Sequence, residues 1–371
     1  MVLAIMTKLK DRYNLEVEGK SVVTDCPAVP EDDALINLGT WLGRKGYRFV
    51  TPTPATHARV NARPQADEAR TLHDVFGWSR PFRPALLPPA ILRWLEQGNS
   101  LDQTSGLLRS KVRFSSLGDT LYMHSAYPTI EADSVFFGPD TYRFAALVRQ
   151  TLSTYGDFRP DCVVDIGCGT GAGGIVAVQA LQHPPSQLIL TDINPLALRC
   201  ARVNAAMAGI PDTCLRQGDL FDVIDKPIDL LVANPPYLLD PQARVYRHGG
   251  GELGSALSTR IVEQGLPRLA RGGMLILYTG TPIINGKDTF LESISATLDN
   301  KNIHCTYTEL DPDVFGEQLE YTAYARVDRI AVVALIIRVS PPVPTKTKKV
   351  VSMSRRIPEI MLNKPHWRSS R

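Results

Sequence analysis

An asparagine, two prolines and a tyrosine follow one another at the end of an apolar run, at positions 234–237. The two prolines lack an N–H group and fix φ, so the main chain is stiff at this point. The side-chain carbonyl of Asn234 and the backbone carbonyl of Pro235 can each accept one N–H from a planar NH₂ group. Tyr237 can stack on the same group. Together these residues can hold an amide or a nucleobase amine for reaction.

Such a nitrogen is a poor nucleophile because its lone pair is delocalised into the neighbouring π-system. Two fixed acceptors can orient the nitrogen and favour its pyramidalisation, so catalysis would rest on positioning and preorganised dipoles rather than on a strong base. No cysteine or histidine nucleophile is evident in the sequence. We therefore predict catalytic roles for Asn234, Pro235 and Tyr237.

A second motif lies upstream. An apolar run contains Asp165 near its end and is followed by three glycines at alternate positions. Glycine lets the backbone turn sharply and lets a ligand approach without obstruction from a Cβ atom. The next apolar run ends at Asp192, 21 residues past the third glycine, where an acidic residue is placed to bind ribose hydroxyls. The pattern indicates a nucleoside-bearing ligand at the carboxyl edge of a doubly wound sheet. The three glycines are Gly167, Gly169 and Gly171.

Residues 169–174 also fit the G-x-G-x-x-G pattern of dinucleotide-binding loops. The carboxylate of Asp165 at the mouth of the loop suits a cationic ligand with an amino group better than an anionic pyrophosphate. A nicotinamide-dependent oxidoreductase therefore stays open as the weaker alternative.

Strands and helices alternate from about residue 140 onward, and the strands are nearly all apolar. Parallel strands covered on both faces by helices have this composition. The last two apolar runs have no long helix between them and predict an antiparallel hairpin. We predict an α/β fold with a doubly wound, mostly parallel seven-stranded sheet in residues 131–340. Residues 1–130 are expected to form a separate, smaller substrate-recognition domain, α+β or helical, for which a winged-helix arrangement stays open.

The run of Asp165 and three alternate glycines resembles that of the class I S-adenosylmethionine-dependent methyltransferases, which have a Rossmann-like sheet. The resemblance implies that S-adenosylmethionine is the cofactor and that the glycine loop wraps its amino-acid part. It also implies that Asp192 binds the ribose and that Asp219 meets the adenine amino group. The Asn-Pro-Pro-Tyr motif resembles that of amino-methyltransferases, which modify base exocyclic amines or the glutamine amide of release factors. Asn234 would then lie beside the methyl group of the cofactor.

Three features resemble the protein-glutamine N5-methyltransferases and their methyltransferase small domain relatives: Tyr237 after the prolines, the glycine-rich residues 246–262, and the entry segment 135–148. In the entry segment the resemblance implies that Phe137 and Thr141 lie near the cofactor. Tyr142 stands where those enzymes usually carry Glu. The resemblance covers about residues 135–340 and is specific for cofactor and reaction, not for substrate. The substrate is expected to be a macromolecule of the translation apparatus: a release factor, a ribosomal protein or an RNA.

The net charge of +3 is distributed unevenly along the chain. Residues 342–371 carry eight Lys and Arg against Glu359, a charge of +7 that leaves −4 for the rest. We predict that residues 341–371 form a flexible basic tail, which could contact phosphate backbones. The tail keeps open a second alternative, an RNA-binding module that binds S-adenosylmethionine but has lost transfer activity.

A nucleic-acid face could also be formed by N-terminal aromatic residues and the arginines between them. Core aromatics with solvated charges are the favoured interpretation. The residues concerned are Trp78, Arg80, Phe82, Arg83, Arg93 and Trp94.

The six cysteines are scattered, without a C-x-x-C pair or a partnering histidine pattern. This argues against a zinc site or a disulfide framework and favours buried, reduced thiols. The apolar run at residues 2–6 is too short for a signal-peptide core or a membrane span. We therefore predict a soluble, cytoplasmic protein that needs no metal and contacts no membrane, and the oligomeric state is left open.

Overall fold

The computed structural model describes residues 29–341, apart from Ser105 and Pro211. The predicted basic tail beyond Pro341, the first 28 residues and Cys26 lie outside the described residues.

The N-terminal part of the chain consists of short helices and two β-hairpins. Its first helix begins at Pro30 and carries acidic residues in its first turn, both of which favour a helix N-terminus. Its last two strands form an antiparallel hairpin, and Gly118 adopts the positive φ of 63° that the turn between them requires. The elements are α1 (Pro30–Arg44), α2 (Pro54–Asn61), α3 (Leu72–Phe76), α4 (Pro89–Gln97), β1 (Leu101–Thr104), β2 (Leu107–Ser110), β3 (Val112–Leu117) and β4 (Thr120–Ser125).

The second part alternates strands and helices, as the apolar runs predict. The predicted terminal strands form an antiparallel pair. The elements are α5 (Pro139–Thr154), β5 (Cys162–Ile166), α6 (Ala172–Ala180), β6 (Gln187–Asp192), α7 (Pro195–Met207), β7 (Thr213–Gln217), β8 (Ile228–Ala233), α8 (Ala256–Gly265), β9 (Leu269–Ile284), β10 (Lys287–Asp288), α9 (Thr289–Leu298), β11 (Ile303–Asp311) and β12 (Arg329–Val339).

The main sheet has the strand order β11-β12-β9-β8-β5-β6-β7, and the short β10 pairs with β9 outside this path. Strands β5 to β9 pair in parallel, whereas β12 runs antiparallel to both its neighbours. This confirms the predicted doubly wound, mostly parallel sheet. Strand β5 lies between β6 and β8, so the chain order reverses there, and in open α/β sheets the ligand crevice lies at the carboxyl ends of the strands at such a point.

One hydrophobic cluster joins the N-terminal part to the sheet domain. Side chains of α1, α3 and β3 pack in the same core as Ala197, Cys200 and Val203 of α7. The buried carboxylate of Asp32 on α1 also pairs with Arg199 at 2.8 Å and with Arg202 at 3.2 Å. A boundary near residue 130 stays a prediction, since this cluster crosses it.

The aromatic residues of the alternative nucleic-acid face pack against the core, which agrees with the favoured interpretation. Phe82 is fully buried, and Trp78 and Trp94 pack against the same core. Arg80 pairs with Asp74, and Arg83 pairs with Glu68. Arg93 is exposed.

Cysteines 162, 168 and 200 are buried free thiols, whereas Cys305 lies exposed on the edge strand β11 and so departs from the prediction. Among the described residues, no group of His, Cys, Asp and Glu side chains is arranged to hold a metal ion. No helix within that part of the chain is long and apolar enough to cross a bilayer.

Candidate functional site

A cavity of about 530 Å³ opens at the carboxyl ends of β5, β6 and β8. Its volume lies in the usual range of ligand pockets. The predicted site residues that line it are Thr141, Asp165, Gly167, Gly169, Asp192, Asp219, Asn234, Pro235 and Tyr237.

Gly167 and Gly169 carry the loop past the cavity with φ values of 65° and 54°. This left-handed conformation favours glycine. A Cβ atom built on either residue would meet no atom within 4 Å, so the space beside both residues is open. The loop can therefore lie directly against a ligand.

Gly171 is placed differently from the other two glycines, and its contact with the cofactor stays a prediction. It also has a positive φ, 75°, but it does not line the cavity. A Cβ atom there would lie 3.1 Å from Leu190 and 3.2 Å from the Cβ of Ala201. Its small size therefore serves the close packing of the start of α6 against β6 and α7.

Asp165 is buried at the end of β5, and its Oδ2 accepts the N–H of Gly174 at 2.8 Å. Burial raises the pKa of Asp165 to about 7, and the nearby Asp192 adds to the rise. The carboxylate can thus change charge near neutral pH, and a cation bound beside it would favour the ionised form.

Asp192 at the end of β6 holds the glycine loop in place. Its Oδ2 accepts the N–H of Gly169 at 2.9 Å, and its Oδ1 accepts the N–H of Asn194 at 2.9 Å. Burial raises the pKa of Asp192, while these backbone donors oppose the rise. Each carboxylate oxygen keeps acceptor capacity that a ribose hydroxyl could use.

Asp219 and Arg260 line the same cavity and form an ion pair across part of it, with Oδ2 of Asp219 2.9 Å from the guanidinium. Asp219 follows β7, and Arg260 belongs to α8. The pair fixes one carboxylate oxygen and leaves Oδ1 for a donor such as an exocyclic amine. Thr191 adds a hydroxyl to the lining, and among the described residues its Oγ1 is buried without a hydrogen-bond partner.

Asn234 and Pro235 follow β8, the neighbour of β5 in the sheet, and line the cavity together with the glycine loop. Within the described chain, the side-chain amide of Asn234 makes no hydrogen bond, so its carbonyl and its NH₂ group are both available. Pro235 is buried, which fixes its backbone carbonyl in place.

Hydrogen bonding and packing hold the side chain of Tyr237 in place. Its hydroxyl donates to Oδ2 of Asp140 at 2.8 Å, and the hydroxyl of Tyr278 donates to Oδ1 of the same carboxylate at 2.8 Å. The ring lies against Gly280 and meets Phe315 edge-on, with 6.0 Å between centroids. Burial and the neighbouring Asp140 raise the pKa of Tyr237, so the phenol stays neutral at physiological pH.

Gly280 on β9 provides a test of this fixed ring. A Cβ atom at position 280 would lie 2.2 Å from Cδ2 of Tyr237, so Gly280→Ala must displace the ring or the strand. We expect about 10²-fold slower methyl transfer, since displacements of about 1 Å have effects of this size, and a measurable fall in Tm. The matched control is Gly43→Ala on α1, where the nearest atom is 4.0 Å away. The control should keep full activity, and wild-type kcat in Gly280→Ala would contradict the role of a fixed Tyr237.

Of the two predicted residues in the entry segment, Thr141 lies beside the cavity and Phe137 lies away from it. Thr141 lines the cavity, and its Oγ1 accepts the N–H of Gly138 at 3.3 Å. Phe137, in contrast, is fully buried, with Tyr122 and Tyr142 at centroid distances of 5.6 and 5.4 Å. The structure therefore places Phe137 in the core beside the cavity-forming segment, and its contact with the cofactor stays a prediction.

Phe136 lines the cavity instead. Its ring stacks on Tyr246 at 5.4 Å. Of the two adjacent phenylalanines, the structure thus places Phe136 at the cavity and Phe137 in the core.

Several other lining residues could not be assigned individually from the sequence. The segment between β8 and α8 contributes a run of residues, and three others come from distant parts of the chain. The glycine-rich residues 246–262 are a feature of the family resemblance, which gives no role to any single residue among them. These lining residues include Pro54, Asp140, Tyr246, Arg247, His248 and Phe315.

The part of the chain that forms this site is similar to known methyltransferases. Residues 144–293 match the family model of the methyltransferase small domain. The match covers 150 of the 371 residues of the chain. The release factor glutamine methyltransferase of Deinococcus radiodurans is 34% identical over 128 residues, which are 31% of this chain and 44% of that protein. The ribosomal protein uL3 glutamine methyltransferase of Bordetella pertussis is 33% identical over 123 residues, 30% of this chain and 41% of that protein.

The chain thus spans less than half the length of these curated relatives. Among solved structures, the tRNA m1G37 methyltransferase of M. jannaschii is similar at a TM-score of 0.40 and 14% identity, covering 62% of this chain and 57% of that one. A likeness of that size carries no argument about function.

The methyltransferase small domain takes its methyl group from S-adenosylmethionine, and the cavity residues fit this cofactor. Asp165 can face a cationic group, Asp192 has acceptor capacity for ribose hydroxyls, and Asp219 has an oxygen available for an amine. A pyrophosphate would meet two buried carboxylates in the same loop, which disfavours a dinucleotide. The similarity of residues 144–293 to the methyltransferase small domain also speaks against the oxidoreductase alternative.

Proposed function

We propose that the protein transfers a methyl group from S-adenosylmethionine to the side-chain amide nitrogen of a glutamine in a protein of the translation apparatus, a release factor or a ribosomal protein. The observation that carries the proposal is the pair of acceptors at the end of β8: the unengaged side-chain carbonyl of Asn234 and the fixed backbone carbonyl of Pro235, both lining the cavity.

Asn234 and Pro235 are proposed to orient the amide group of the substrate. A carboxamide NH₂ has two N–H groups, and the two acceptors can take one each. The bound nitrogen is then held with its lone pair directed away from the carbonyl system, and S-adenosylmethionine supplies an electrophilic methyl group on a sulfonium. The nitrogen would gain the methyl group as the S–CH₃ bond breaks, the thioether S-adenosylhomocysteine would leave, and one N–H proton would pass to water.

Glutamine is the favoured acceptor for two reasons. The relatives of D. radiodurans and B. pertussis are both named for glutamine methylation. The N-terminal residues that could form a nucleic-acid face give little support to a nucleobase acceptor. Their aromatic side chains pack against the core, and two of their three arginines are ion-paired.

The N-terminal part is proposed to recognise the protein that carries the glutamine. Pro54, the first residue of α2, lines the cavity, so this part reaches the site itself. The backbone N–H of Thr51 donates to the hydroxyl of Tyr142 at 3.0 Å, which links the segment before α2 to α5. Tyr142, the residue that departs from the family pattern, thus connects the two parts of the chain.

Labelling tests the proposed acceptor class. The protein is incubated with methyl-labelled S-adenosylmethionine and an extract of a strain that lacks it, and the products are split by sensitivity to protease, RNase and DNase. We expect label that protease removes. Label removed by RNase or DNase would contradict the glutamine assignment, and absence of label with measurable cofactor binding would favour a binding module without transfer activity.

A further inference from the structure

His248 lies beside the Asn-Pro-Pro-Tyr segment, in the connection between β8 and α8. It forms an isolated parallel bridge with Leu238. The N–H of Gly249 donates to the carbonyl of Leu238 at 2.8 Å, and the N–H of Leu238 donates to the carbonyl of Arg247 at 3.3 Å. The backbone of His248 is therefore fixed alongside the catalytic segment.

The surroundings of His248 determine where its ring proton lies. Nδ1 accepts the backbone N–H of Asp240 at 3.1 Å, so in the neutral ring the proton is on Nε2. The carboxylate of Asp240 is itself held by Arg244, with 2.6 Å between Oδ1 and the guanidinium. The arrangement fixes both the tautomer and the orientation of the imidazole.

The Nε2–H group is a donor without an acceptor. Among the described residues Nε2 is buried and has no hydrogen-bond partner, and a buried donor that is left unpaired is destabilising. His248 lines the cavity that Asn234 and Pro235 also line. The missing acceptor can thus come from a molecule that enters the cavity.

We propose that His248 is a specificity-determining residue whose Nε2–H donates to the carbonyl oxygen of the substrate glutamine. The inference rests on the proposed function and extends it. Two acceptors and one donor then match the two N–H groups and the one oxygen of a carboxamide. Lysine and arginine side chains present donors only, so both would leave the Nε2–H group unpaired and be selected against.

The expected role is orientation and selection, not activation. A hydrogen bond to the carbonyl oxygen draws electron density from the amide nitrogen, so it does not make that nitrogen more nucleophilic. It fixes the amide plane relative to Asn234. Loss of the bond should therefore raise the KM for the acceptor protein more than it lowers kcat.

The test compares wild type with His248→Phe, His248→Gln and His248→Ala. The acceptor is the protein that takes up most label in the extract, purified from the strain that lacks the enzyme. We expect about a tenfold higher acceptor KM for His248→Phe, the size of one lost hydrogen bond, with unchanged affinity for S-adenosylmethionine. His248→Gln retains an N–H donor and should recover most of the loss, and added imidazole should lower the acceptor KM of His248→Ala.

Each outcome distinguishes the two claims. Wild-type KM and kcat in both His248→Phe and His248→Ala would overturn the role of His248 while leaving the proposed function intact. A raised KM in His248→Ala that imidazole leaves unchanged would also count against it. Wild-type protein that labels no glutamine in any protein would overturn the proposed function itself, before the variants are compared. Tm and cofactor affinity establish that each variant is folded.

Discussion

Asn234→Ala is expected to bind S-adenosylmethionine with nearly wild-type affinity and to lose most methyl transfer, by about 10²–10³-fold in kcat. Removal of one preorganised polar group from an active site has effects of this size. The side-chain carbonyl of Asn234 makes no hydrogen bond within the described chain and lines the cavity, so its loss removes an acceptor for the substrate and no bond that supports the fold. The measurements are single-turnover transfer and cofactor titration.

The matched control for Asn234→Ala is Asn302→Ala, at an exposed asparagine just before β11. The control should behave as wild type. Asn234→Asp keeps a carbonyl-type acceptor and should lose less activity than Asn234→Ala. Full activity in Asn234→Ala would contradict the role assigned to this residue.

Affinity for S-adenosylmethionine is expected to fall as pH falls below about 7, up to tenfold per pH unit. The reason is Asp165, whose pKa burial raises to about 7. Above that pH the carboxylate is charged and attracts a cationic ligand; below it the group is neutral and the attraction is lost. Asp165→Asn should weaken binding at about pH 8 and remove most of the pH dependence, as measured by calorimetric titration.

The same shift has the opposite consequence for the stability of the cofactor-free protein. The pKa of Asp165 rises from 3.8 to about 7 on folding, so the folded state binds the proton more tightly than the unfolded state. The free energy of unfolding should therefore decrease as pH rises from about 4 to about 7. Asp192, whose pKa is also raised, acts in the same direction.

Asp222→Asn is the control for Asp165→Asn, because Asp222 is exposed and lies outside the cavity lining. It should leave both pH dependences unchanged. If Asp165→Asn keeps the wild-type pH dependence of binding, the attraction between Asp165 and the cofactor is absent.

Local sequence signals were sufficient to predict the sheet and the two motifs at its edge. Apolar runs of strand length predicted β5, β6 and β8, and the residues that end those runs converge because parallel strands finish at one edge of a sheet. Asp165, Asp192 and Asn234 therefore all line one cavity. Their chemistry could be predicted from residue type and spacing alone.

Side-chain direction in irregular segments could not be predicted in this way. Phe136 and Phe137 are adjacent and chemically identical, and only tertiary packing places Phe136 at the cavity and Phe137 in the core. Gly171 continues the spacing of Gly167 and Gly169, but at position 171 the close neighbours are the side chains of β6 and α7. Spacing specifies a glycine there without showing whether a ligand or the core requires it.

Contributions from distant segments were missed for a different reason. Pro54, His248 and Phe315 reach the cavity from three separate connections. A hydrogen-bond requirement such as that of His248 Nε2 becomes visible only when the tautomer and the burial of the ring are known. No pattern in the sequence encodes those facts locally.

Chemical identification of the methylated group tests the central claim most directly. The protein labelled in the extract is hydrolysed in strong acid, the hydrolysate is made alkaline, and the volatile products are separated. Methylation of a glutamine amide nitrogen predicts labelled methylamine, since hydrolysis of an N-methylated carboxamide releases that amine. Label released as methanol would show transfer to a carboxyl oxygen and would contradict the account of Asn234 and Pro235 as acceptors for a planar NH₂ group.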